Sequence, residues 1–210
     1  MTARLMQSHP YAGRRPGKAQ NGASLIVVLI LMVIVSGLGI AGVQLSIMGE
    51  RGARNDRDYQ LAWQSAEAGL MDAEFDIRGP NANASNRLES FSSGNALDFV
   101  PNCGSAGPQK GLCASDPSGK PAWLSVDFVG NSATDFGDFT GRSFASASGA
   151  ISGLKPAYEP RYIVEVLDDT AIGNDASYGA TKKYVYRVTS MGFGPRSDIQ
   201  SVVQMLFRKE

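Results

Sequence analysis

The sequence predicts an α+β fold: one long amino-terminal helix and an antiparallel sheet at the carboxyl end. Three observations lead there. An uncharged apolar run lies near the amino end, an amphipathic stripe follows it, and three alternating segments close the chain. Composition narrows the function. The 210 residues hold 20 Lys and Arg against 20 Asp and Glu, so no basic surplus points to nucleic acid. The single histidine, His9, excludes a histidine-containing triad, an HExxH site or a His-rich zinc site within the chain. Two cysteines cannot make a Cys-only zinc site.

The amino end reads as a membrane signal. Residues 1–22 carry Arg4, Arg14, Arg15 and Lys18 and no acid, and Ala19 to Gly49 is a run of 31 residues without charge. Leu25 to Val35 is unbroken Leu, Ile, Val and Met. Ala23 to Val43 is 21 residues, enough to cross ~30 Å of hydrocarbon at ~1.5 Å per residue. The positive flank comes first, so the amino end should stay cytoplasmic and the remainder should be exported. Three processing readings fit: a plain signal anchor, a signal peptide cut near Gly37-Leu38-Gly39, and a cut after Gly22 that releases the basic leader. The second is disfavoured because the apolar run exceeds the usual ~7–15 residues. Gly37 to Gly42 matches GxGxxG literally. A dinucleotide site needs that motif between a strand and a helix, so helix packing is the better reading here.

The first charges after the run are Glu50, Arg51 and Arg54, which mark the emergence point. Tyr59, Trp63, Ala66, Leu70, Ala73 and Ile77 then recur at spacings of four and three, one helical stripe. Glu67, Asp72, Glu74 and Asp76 lie largely off it, and Gly79-Pro80 stops the helix. If continuous from Ala23 to Arg78, the helix is ~84 Å long. The stripe is expected to pack on the protein's own sheet; a groove for a partner helix is the alternative.

Residues 79–155 are dense in Gly, Ser, Asn, Ala and Pro. Leu97–Val100, Trp123–Val129 and Phe136–Phe144 are short apolar pieces, and one or two short strands among long loops are expected. Cys103 and Cys113 sit ten apart, and in an exported chain the pair reads as a disulfide. Closing so short a loop stabilises by roughly 2–3 kcal/mol. Other chemistry is weak. Ser152 to Lys155 fits S-x-x-K without its partner motifs. Asn131, Asp135 and Asp138, or Asp168, Asp169, Asn174 and Asp175, could offer oxygens to calcium, but neither set has EF-hand spacing. No cofactor is expected.

The carboxyl end alternates. Arg161–Asp168 sets Tyr162, Val164 and Val166 against Ile163, Glu165 and Leu167. Lys182–Met191 and Ser197–Arg208 do likewise, with turn signals at Gly173–Gly179 and Gly192–Pro195. A sequential antiparallel meander is the simplest topology, one face receiving the helix.

Lys18-Ala19-Gln20-Asn21-Gly22, followed by Ala23-Ser24-Leu25-Ile26-Val27-Val28-Leu29, resembles a type IV prepilin cleavage region. Leu61 to Glu74, LAWQSAEAGLMDAE, is similar to the helix signature of PilX-like minor pilins. The resemblance covers residues ~18–78 and implies a type IV pilin-like fold with cleavage after Gly22 and methylation of Ala23. It implies a leader at 1–22, a transmembrane helix at 23–49, an amphipathic helix at 50–78 and a globular domain at 79–210. It implies a structural, non-catalytic minor pilin that primes pilus assembly at or near the filament tip. Implied partners are other minor pilins, the major pilin, prepilin peptidase, the inner-membrane assembly platform and a tip adhesin. One residue departs from the pattern. Most pilins carry Glu at the fifth position after the cut, and here that residue is Val27. The tip pseudopilin of type II secretion also lacks this Glu and stays open as an alternative, as does a single-span periplasmic anchor. A Ser-Lys hydrolase on the same anchor is the enzyme alternative.

Overall fold

The computed structural model describes residues 23–81, 85–92, 95–116, 118–144, 155–169 and 182–209. Two compact units divide the chain, Met1–Glu50 and Arg51–Glu210. Helix α1, Ala23–Arg78, is 56 residues long and runs from the first unit into the second. No proline interrupts it. It ends where Gly79 turns to a φ of +74°, a conformation that glycine takes without strain. The Gly79 N–H closes the last turn on the Phe75 carbonyl at 2.8 Å, which also accepts from Asn81 Nδ2 at 3.1 Å.

In the first unit the described residues form the start of α1, with every described side chain exposed. The second unit is built on a five-stranded sheet. Strands β3 (Arg161–Asp168), β4 (Tyr184–Phe193) and β5 (Gln200–Arg208) form the expected antiparallel meander. Two strands of two residues each line the other edge of β3. β1 (Leu112–Cys113) pairs parallel to it and β2 (Thr134–Asp135) antiparallel. The sheet is therefore mixed, where a purely antiparallel one was expected. The extra strands fall beside the predicted apolar pieces rather than within them: Trp123 lies in a single 3-10 turn, Ala122–Leu124.

One face of the sheet receives α1. Ala73 and Ile77 pack with Tyr162, Val164, Val166, Tyr186 and Val188, joined by Phe91 and Phe99 from the connecting region. The opposite face is covered over β3 by a smaller cluster of Ile163, Phe128, Ala133 and the two cysteines. This second cover is why both faces of β3 are buried despite its alternating sequence. β5 keeps a clean alternation, with Ser201, Val203, Met205 and Phe207 turned inward.

The helix stripe is rotated from the expected one. Tyr59 and Trp63 are about half exposed, at 52% and 46%. The buried positions are Ala62, Ser65, Ala66, Gly69, Asp72, Ala73, Asp76 and Ile77. Small residues fill the upper contact because the backbones approach closely there. A Cβ on Gly192 of β4 would meet the Ala66 nitrogen at 2.2 Å and the Ala62 oxygen at 2.3 Å.

Candidate functional site

From Leu25 to Met48, α1 shows large apolar side chains on all sides. A helix on a soluble domain hides one stripe; one that is apolar all round needs lipid or other helices as its solvent. Among the described residues this is the one helix long and apolar enough to cross a membrane. Ala23 is its first residue, while the leader and Gly22 lie outside the described residues. Val27 sits in its second turn and is 55% exposed, with no carboxylate in that turn. Gly37, Gly39 and Gly42 lie inside the helix with nothing within 4 Å of an added Cβ, so their GxGxxG spacing builds no phosphate cradle.

Further along α1 two carboxylates are buried. Asp76 faces Arg87, and both side chains are fully buried. Arg87 Nε donates to both Asp76 oxygens, at 3.1 and 3.0 Å, and Nη2 donates to Asp76 Oδ2 and to Thr134 Oγ1. Nη1 donates to the carbonyls of Pro108 and Lys110. All five guanidinium hydrogens are thereby satisfied, and the Phe139 ring lies 3.8 Å from the guanidinium carbon. Tyr162 donates its hydroxyl to Asp76 at 2.9 Å. Burial, and then the Asp76 charge, holds that phenol well above its usual pKa, so it stays a donor. One side chain thus ties the helix, the disulfide region and the sheet together.

Asp72, one turn earlier, accepts from the Gly137 N–H at 2.8 Å and bonds the Thr140 hydroxyl at 2.5 Å. Burial pushes its carboxyl above the ordinary range, against the downward pull of those two bonds. Asp72 and Asp76, expected largely off the packing stripe, are therefore part of the buried face. Their signal was present in the spacing: 62, 65, 69, 72 and 76 recur at four and three, a stripe of small and acidic residues beside the apolar one.

Cys103 and Cys113 are disulfide-bonded, with sulfurs 2.00 Å apart. Asp135 and Asp138, weighed as calcium ligands, hold the Lys110 ammonium between them at 2.6 and 2.7 Å, and Asp135 also pairs with Arg161 at 2.7 Å. Protein cations already take that position. Asp169 pairs with Arg208 at 3.0 Å, while Asn174, Asp175 and Ser152 lie outside the described residues. Among the described residues no group of three His, Cys, Asp or Glu could hold a metal.

Two family models match the chain. PilX N-terminal matches residues 21–70, and the type IV pilus assembly protein PilX C-terminal region matches residues 109–209. The chain belongs to the PilX family. It is a type IV pilus assembly protein, and the matches divide where the structure is braced. The N-terminal match holds the exposed apolar helix and the small residues against β4. The C-terminal match holds Lys110, Thr134 and all three long strands. Asp72, Asp76 and Arg87 fall between the two, in the segment that ties them. Neither a curated protein nor a solved structure gives a significant match.

Proposed function

We propose that this PilX-family protein is a minor pilin that primes assembly of the type IV pilus and remains at or near the tip. The observation that carries the reading is the helix from Ala23 onward, apolar on every face and with Val27 at the fifth position. A carboxylate at membrane depth costs roughly 2.5–3.5 kcal/mol on insertion scales. Where it occurs it needs an amine to meet, and in the family that amine is a neighbour's amino terminus. A subunit with Val there needs no such neighbour, which suits the end of a filament rather than its shaft. The protein is structural and non-catalytic. Its leader is removed after Gly22, Ala23 is methylated, residues 23–49 span the inner membrane, and residues 50–210 stand in the periplasm before reaching the tip. Its partners are then the other minor pilins, the major pilin, prepilin peptidase, the assembly platform and a tip adhesin.

Processing tests the reading. Mass and amino-terminal sequence of the mature protein should begin at methylated Ala23, and Gly22→Ala should retain the leader. A wild-type terminus near Gly42, or an uncut wild-type chain, overturns the pilin reading. The missing carboxylate also fits the tip pseudopilin of a secretion system. A deletion strain that keeps its pili and loses secretion would favour that assignment.

A further inference from the structure

Arg87 Nη1 donates to two carbonyls, and they lie on the two limbs of the loop that the Cys103–Cys113 bond closes. The second limb is held without that bond. Its Lys110 carbonyl also accepts from Thr134, the Lys110 ammonium lies between Asp135 and Asp138, and Leu112–Cys113 pairs with β3. The first limb, which carries Pro108, is pressed onto the second. Gly104 donates to the Leu112 carbonyl at 3.2 Å and accepts from the Gly111 N–H at 2.9 Å. A Cβ on Gly104 would meet the Gln109 oxygen at 2.1 Å. To enter this limb the backbone turns left-handed at two successive residues that carry a Cβ, Asn102 at a φ of +60° and Cys103 at +62°. Such residues seldom take that conformation. The covalent tie at Cys103 keeps the limb in place against its cost.

The Pro108 carbonyl matters because Arg87 and Asp76 are fully buried. A buried donor that loses its acceptor stays unsatisfied and penalises the closed state. Asp76 is also the residue through which α1 meets Tyr162 of β3. We propose that the Cys103–Cys113 pair is a redox latch on this brace between helix and sheet. As a dithiol it lets the first limb relax, Pro108 leaves Arg87, and the last turns of α1 loosen from β3. As a disulfide it holds both carbonyls on the guanidinium and keeps α1 closed. Cys113 is fully buried and Cys103 is 7% exposed, under Phe128, Ala133 and Ile163. A protein-sized oxidant cannot reach them there, so the bond forms while the domain is open and closure then shields it. The oxidant is a protein disulfide of the dithiol-oxidase class. One cysteine thiolate attacks it to form a mixed disulfide, and the other cysteine displaces it as a dithiol. Two electrons leave the pair, and its two thiol protons end on the oxidant. The compartment of that oxidation rests on the exported placement proposed above; the coupling of latch to brace does not.

The coupling is reciprocal: a brace that needs the bond must also protect it. The test uses the full-length chain in detergent micelles, equilibrated with graded mixtures of reduced and oxidised dithiothreitol, then alkylated and weighed to count thiols. Arg87→Lys keeps a cation for Asp76 but cannot reach both carbonyls. It should move the bridge equilibrium toward dithiol by about tenfold or more. Met205→Ala, on β5 away from the brace, should lower the unfolding midpoint and leave that equilibrium unchanged. Hydrogen exchange needs no substitution. In the reduced wild type the amides of residues 73–78 should exchange about tenfold faster or more, while the β4–β5 ladder keeps its protection. A reduced chain that protects the end of α1 as well as the oxidised one overturns the proposal. So does an Arg87→Lys equilibrium equal to wild type, or an equal shift from Met205→Ala. Neither measurement reads cleavage at Gly22, so failure here and failure of the pilin reading are distinct results.

Discussion

Truncating Arg87 to Ala leaves the Asp76 carboxylate buried without its cation, and takes a donor from the Pro108 carbonyl and the Thr134 hydroxyl, while the Lys110 carbonyl keeps its bond from Thr134. Removing one partner of a buried pair costs about 3–5 kcal/mol. Urea denaturation of the solubilised chain should show a loss of that size, where an exposed pair such as Arg196 with Asp198 should show almost none. Asp72 makes a different prediction. Its raised native pKa means that the folded chain holds a proton which the unfolded chain releases. Stability then falls as pH rises from the ordinary carboxylate value of 3.8 through the raised native value, and this contribution is flat above it. Asp72→Asn keeps both hydrogen bonds if the Thr140 hydroxyl turns round. The difference in urea midpoint between the two proteins should change across that window and be constant above it. Neither carboxylate was legible as buried. An acid on a helix is solvated by default, and the cation that brings Asp76 inside stands 11 residues away in a segment of turn-like composition. Pairing across such a gap leaves no period in a sequence.

At the scale of elements, the contact between α1 and β4 rests on the absence of side chains. Gly192→Ala would drive a methyl into the helix backbone at Ala62 and Ala66, which cannot yield without moving the helix. A loss of about 1–3 kcal/mol or more is expected. Gly69→Ala faces chiefly the Ser190 hydroxyl at 2.3 Å, a side-chain end, and should cost less. Melting curves of the two variants should rank in that order. The three long strands were legible from their alternating sequences: β5 is half-buried and follows its pattern in burial, and β3, covered on both faces, still starts and stops where its pattern does. β1 and β2 were not. Two residues are too few to carry a period, and their pairing with β3 depends on a disulfide loop and on Arg87. The helix was legible in extent, from apolar run to Gly79-Pro80, yet its inner face was misread by favouring the largest apolar side chains. A face that approaches a sheet backbone this closely selects small residues instead.

For the whole molecule, the first part of α1 and the sheet domain answer to different solvents, and substitutions in one should spare the other. Val27→Glu tests this. A carboxyl added at membrane depth without an amine in reach costs roughly 2.5–3.5 kcal/mol on insertion. Cleavage at Gly22 should remain, the unfolding midpoint of the sheet domain should not move, and piliation should stay level or fall. Surface pilin yield beside the mature band measures it. A clear gain in piliation would mean that the absent carboxylate is a defect, and would count against placement at the tip.

The brace described above also sets an order of events in time. Its links join residues far apart along the chain: 68 residues separate Asp72 from Thr140, and 86 separate Asp76 from Tyr162. The inner face of β5, which completes the core, ends at Phe207. Contacts of such long range close slowly, on the scale of milliseconds to seconds, because the entropy of a large loop is lost before any contact rewards it. Synthesis runs from the amino end, so the two buried carboxylates of α1 exist for the whole interval before their partners do. They wait hydrated and charged, which keeps the nascent helix soluble on the face that will later be hidden. An apolar stripe there would have stuck to whatever passed first. Holding acids on the inner face until Arg87 and Tyr162 arrive makes closure a selective event, one that only the correct late-arriving groups can complete.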